Sequence, residues 1–117
     1  MPIMEITVLP LGTQTSSLSQ FVADSVSVLK DEKDIKYHLT AMGTIIQSDS
    51  AEKLFEVAVK MHNAVLKNNV RVLTALKIDD RKDKKVTVES KIDSVQRSLK
   101  DRYKGKWIRR GARGDYR

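Results

Sequence analysis

No set of residues in this chain has the spacing of a catalytic machine, but several could hold a small ligand. His38 and His62 are the only histidines and there is no cysteine. Neither histidine has carboxylates at ligand spacing, so a zinc site is not expected. No GxSxG turn presents a serine nucleophile. No P-loop or GxGxxG is present, and Leu11-Gly12-Thr13 reads only as a short turn. What remains is a scatter of short hydroxyls: Thr13, Ser17, Thr40 and Thr44. They can donate to and accept from the polar edge of a small molecule. Met42 is a soft, adaptable wall, and Gly43 beside it permits a turn or a bulge. Asp79 and Asp80 are adjacent carboxylates at the end of a strand-like run. Each also has a plainer use. Ser17 suits a helix cap, Thr40 and Thr44 are good strand residues, Met42 suits a core, and Asp79-Asp80-Arg81 suits a turn with internal ion pairing.

The elements that must position these residues follow from periodicity. Ile3 to Leu11 alternates, with Met4, Ile6 and Val8 on one face and Ile3, Glu5, Thr7 and Leu9 on the other, which predicts a strand. After Pro10-Leu11-Gly12 and a polar loop, Ser17 and Gln20 fit a capping box. Leu18, Phe21, Val22, Val26 and Leu29 then form one helical stripe, ending in the charged run Lys30 to Asp34. Ile35 to Met42 alternates again, and Thr44-Ile45-Ile46-Gln47 is the following strand. The two should form a hairpin about Gly43 at the centre of the sheet.

Asp49 with Glu52 marks a second helix start. Leu54, Val57, Ala58, Met61 and Val65 are its core stripe, widened by Phe55, His62 and Leu66, and Asn68-Asn69 suits a left-handed helix end. Arg71 to Asp79 is a fourth strand. After a charged turn, Val88, Ile92, Val95 and Leu99 predict a short third helix. The order β-α-β-β-α-β is the ferredoxin-like arrangement, an α+β fold with a four-stranded antiparallel sheet. Its helix-free face would offer Ile3, Leu9, Met42 and Leu73. Such a face is expected to be covered by a second subunit.

The chain has 117 residues, the size of one domain. Of its net charge of +7, the segment 98–117 holds +6, with eight Lys/Arg against two Asp. The body is near neutral and the basic character belongs to the tail. We therefore expect a domain over 1–99 and a basic tail over 100–117. Tyr103, Trp107 and Tyr116 interleave with the basic residues there, which would suit nucleic acid, although a solubilising extension is favoured. Arg113-Gly114-Asp115 reads as coincidence. No apolar run reaches the roughly 20 residues of a membrane span, and no signal peptide is evident. A cytoplasmic protein is expected.

Several segments together resemble the small thiamine-binding protein family, single-domain relatives of the YkoF-type thiamine-binding proteins. They are Val8 to Thr13, Ser17-Leu18-Ser19 with Phe21-Val22-Ala23, Tyr37 to Ile46, Arg71-Val72, Ile78 to Arg81, and Lys91 to Val95. The resemblance covers residues 3–97. It implies a ferredoxin-like fold, dimers or tetramers, and non-enzymatic binding of thiamine or its hydroxymethylpyrimidine part, with no cofactor. An aminopyrimidine needs a donor–acceptor pair at its edge and an apolar surface at its face, and a thiazolium needs a carboxylate or carbonyl oxygens. On this reading Thr13, Ser17, Thr40, Met42, Gly43, Thr44, Asp79 and Asp80 are the candidate ligand-binding residues. Gln47 stands where the family usually has glutamate. The competing readings are a nucleic-acid-associated protein acting through the tail and a regulatory oligomer sensing another ligand.

Overall fold

The alternation that starts at Ile3 becomes strand β1, Ile3–Pro10, in the computed structural model, which describes residues 1–102. Tyr103, Trp107, Tyr116, Arg113-Gly114-Asp115 and the basic residues from Lys104 onward lie outside the described residues. Helix α1 spans Ser19–Ser27 and tightens into a 3-10 turn at Val28–Asp31. Strands β2, Ile35–Leu39, and β3, Thr44–Ser48, follow as a hairpin. Helix α2 is Ala51–Leu66 and strand β4 is Val72–Asp79. The chain divides after Lys85. The second unit contains helix α3, Val88–Arg102, which opens on a reciprocal cap: the Ser90 amide donates to Thr87 Oγ1 (3.1 Å) and the Thr87 amide to Ser90 Oγ (2.9 Å).

In the first unit all four strands are antiparallel in the order β2-β3-β1-β4. This is the ferredoxin-like arrangement expected. The hairpin is not itself the centre: β3 is internal, but β2 is an edge, because β1 slots in on the far side of β3. Opposed residues share a face, so register sorts the side chains. Met4, Ile6, Thr44, Ile46, Leu76 and Ile78 face the helices. Ile3, Glu5, Thr7, Leu9, Ile45, Gln47, Lys36, His38, Leu73 and Lys77 face the other way. The core forms where Met4, Ile6 and Ile46 meet Val26 and Leu29 and the α2 stripe Leu54, Val57, Ala58 and Met61. Val65 continues that stripe and is also buried.

Several local expectations are corrected. Ser17 does not cap α1: its amide donates to Thr15 Oγ1 (3.1 Å), a turn that holds Ser17 outside the helix, and Gln20 bonds forward to Asp24 instead. Ser50, not Asp49, caps α2, its hydroxyl accepting from the Lys53 amide at 3.2 Å. Asn68 and Asn69 do not adopt a left-handed backbone. Asn69 closes α2 through its side chain, donating to the Val65 carbonyl at 2.7 Å. Phe55 and Leu66 do not widen the core; both are exposed. The face turned from the helices is less apolar than expected. Glu5 and Lys77 form an ion pair across it at 3.5 Å, and Met42 is not on it, because β2 stops at Leu39.

Candidate functional site

A cavity of about 470 Å³ opens at one end of this sheet, on the helix side. Its walls are the second half of β1 (Ile6 to Leu9), the start of α1 (Leu18, Val22, Ser25) and the β2–β3 hairpin (Leu39 to Thr44), with Met61 of α2 at its base. The volume suits a small organic ligand. No Asp, Glu, Lys, Arg or His lines it. It is an apolar chamber with a few hydroxyls.

Those hydroxyls differ in what they are free to do. Thr40 is consumed by the hairpin turn: its Oγ1 donates to the Gly43 carbonyl (2.7 Å) and accepts from the amides of Gly43 (3.1 Å) and Met42 (3.3 Å). Ser25 is buried and donates to the Val22 carbonyl at 3.0 Å. Thr44 is 4% exposed and stands on the helix face, opposite Ile6 on one side and Leu39 on the other. Its hydroxyl makes no hydrogen bond among the described residues, so it is the polar handle left to a ligand. Gly43 matters through proximity. A Cβ there would lie 3.1 Å from Thr7 Cγ2 and 3.3 Å from the Ile6 carbonyl, so a side chain would press on β1 and glycine lets the hairpin lie close against it. Met42 sits at the tip, 83% exposed, and with Leu39, Leu18 and Val22 forms an apolar rim.

The fold brings Thr40, Met42, Gly43 and Thr44 together around this cavity. Thr13 and Ser17 lie in the loop between β1 and α1 and are not in the cavity wall. Thr13 Oγ1 donates to the Thr15 carbonyl (2.8 Å), and Ser17 Oγ meets Ser19 Oγ (3.3 Å). Asp79 stands opposite Ile3, at the far end of β1, on the order of 10 Å or more from the cavity by strand rise. Asp80 follows it. Arg81 pairs with Asp83, and that contact holds the Asp83 carboxyl below its ordinary range. Gln47 is buried on the opposite face of β3, away from the cavity. Leu18 and Val22 were legible only as core stripe; what marks them as cavity wall is that both stay exposed. Among the described residues no group of three or more His, Asp or Glu is placed to hold a metal.

The model of the thiamine-binding protein family matches residues 4–96, nearly the whole described chain. This protein belongs to the thiamine-binding protein family. Its relatives agree. The UPF0045 protein YqgV of Bacillus subtilis is 44% identical over 103 residues, covering 85% of this chain and 98% of the relative. A UPF0045 protein of Methanothermobacter thermautotrophicus is 40% identical over 96 residues, covering 81% and 96%. The crystal structure of MJ1052 from Methanocaldococcus jannaschii superposes with a TM-score of 0.73 at 33% identity, covering 80% of this chain and 94% of that one. In this thiamine-binding family member, the hairpin-tip cavity is bounded by β1, α1 and the β2–β3 hairpin.

Proposed function

We propose that this protein is a non-enzymatic binder of thiamine or its hydroxymethylpyrimidine part, and that the ligand's pyrimidine ring occupies the hairpin-tip cavity. Membership of the thiamine-binding family supports the ligand class. The observation that carries the reading is the chamber itself: apolar walls, no formal charge, and the unbonded Thr44 hydroxyl. A neutral aromatic ring gains from such walls and needs few polar contacts. A thiazolium cation would lose its hydration there with no carboxylate to offset the loss, so it stays at the mouth, beside Met42. Asp79 and Asp80 are too far along the sheet to reach it. Nothing in this arrangement supplies a nucleophile or an acid–base pair, which favours binding over turnover.

The test is isothermal titration of the full chain with hydroxymethylpyrimidine, thiamine and thiamine phosphate. Saturable heat with hydroxymethylpyrimidine, at least as strong as with thiamine, is expected. No saturation with any of the three at millimolar concentration would end the proposal. We also propose a cytoplasmic setting and association between copies of the chain; among the described residues no helix is long and apolar enough to cross a membrane.

A further inference from the structure

The methionines of this chain differ sharply in access. Met4 and Met61 are closed in the core, at 0% and 1% exposed. Met1 is half-buried, and Met42 is 83% exposed. Oxidation of a thioether follows access, so an oxidant in solution meets Met42 first. The chain has no cysteine to compete for it.

The position of Met42 gives that reactivity a consequence. Its backbone is tied to the mouth of the cavity: the Met42 amide donates to Thr40 Oγ1 at 3.3 Å, and the Thr40 amide closes the turn on the Gly43 carbonyl at 2.9 Å. Met42 shares the mouth with Leu18, Val22 and Leu39, all apolar and all exposed. A ring entering the cavity covers these side chains. With no formal charge in the walls, burial of apolar surface is the main gain open to it. A sulfoxide oxygen at Met42 changes that balance. It is a strong hydrogen-bond acceptor that holds water, and none of its three apolar neighbours has a donor to replace that water when the mouth is covered.

We propose that Met42 is a reversible oxidation site that sets the affinity of the cavity: the thioether form holds a neutral ring, and the sulfoxide form releases it. The Met42 sulfur attacks one oxygen of a peroxide. An S–O bond forms as the O–O bond breaks, the sulfur gives up two electrons, and the other oxygen leaves as water or an alcohol. A methionine sulfoxide reductase, drawing two electrons from thiols, removes the oxygen as water and restores the thioether. The affinity half of this proposal rests on the ligand reading above; the oxidation half does not.

The test treats the full chain with hydrogen peroxide and reads two quantities. Trypsin cuts after Lys36 and Lys53, so Met42 is the one methionine on the peptide 37–53, while Met61 falls on 61–67. The peptide 37–53 should gain one oxygen roughly tenfold faster than 61–67. Titration with hydroxymethylpyrimidine should be roughly fivefold weaker after treatment and should recover after the reductase. Met42→Leu, whatever its own affinity, should not change on peroxide treatment, and Met42→Gln, which sets a polar group at the mouth, should bind weakly from the start. Circular dichroism verifies that each variant and the oxidised chain are folded. Equal rates on the two peptides overturn Met42 as the site. Selective oxidation with an unchanged titration overturns its control of affinity, as does an equal weakening of peroxide-treated Met42→Leu. An untreated chain that does not bind hydroxymethylpyrimidine ends the ligand reading and the affinity half together, while the peptide rates still decide whether Met42 is the oxidation site.

Discussion

Two threonines four positions apart in the hairpin have opposite duties. Thr40 spends its hydroxyl on three contacts within the turn, and Thr44 keeps its hydroxyl for the cavity. Thr40→Val should therefore cost about 0.5–1.5 kcal/mol of stability, because two amides lose their acceptor and the Gly43 carbonyl keeps only the Thr40 amide as donor. Thr44→Val should leave stability nearly unchanged and weaken the pyrimidine ligand by roughly tenfold. Thermal denaturation and titration of the two variants side by side separate the roles. The sequence presented both as hydroxyls at strand ends, and nothing in their neighbours distinguished them. Only the position of the turn does. Thr13 and Ser17 were indistinguishable from them for the same reason, and the loop geometry turns their hydroxyls to local bonds instead.

Helices and strands were far more legible than the site, because burial imposes a period over many residues while a ligand contact imposes none. The α2 core stripe was readable residue by residue; its flanking stripe, Phe55 and Leu66, was misassigned to the core because periodicity alone does not say how wide the buried face is. One element-level link has no sequence signature at all. Glu32, just after the 3-10 turn, has a side chain only 9% exposed and receives Lys53 at 2.8 Å and Lys60 at 2.7 Å from α2. The Lys53 hydrogen bond first, and then that of Lys60, hold the Glu32 carboxyl below the ordinary glutamate value, and both lysines are raised above theirs. A lowered carboxyl stabilises the fold above its unfolded pKa, and that contribution is lost as pH falls through the lower folded value. The raised lysines contribute below their unfolded pKa and lose the contribution as pH rises through their folded values. Glu32→Gln should thus lower Tm by a few degrees at neutral pH. The gap between variant and parent should close in strong acid, as measured by thermal melts across pH.

For the whole molecule, the topology was legible because four alternating or apolar runs and two amphipathic stripes come in one order. The reason for expecting assembly was less secure. It rested on an apolar sheet face, and that face carries Glu5, Lys77, Lys36 and His38 among its apolar residues. Alternation counts apolar positions but cannot show an ion pair formed across two strands. Association between copies therefore stands as the proposal made above and does not rest on that face. Mass action gives this a simple signature: Tm should rise with protein concentration, since association draws only on the folded state. A Tm constant over a hundredfold range of concentration would speak against assembly.

The Thr40 turn has a bearing on time as well as on shape. Its three hydrogen bonds lie within Thr40 to Gly43, so the hairpin tip that walls the cavity holds its form whether or not anything is inside. On the proposed reading, a ligand arriving there finds this turn already formed. If the proposed ligand binds there, its entry is then limited by encounter and its departure by the strength of the contacts, so that occupancy tracks the surrounding concentration.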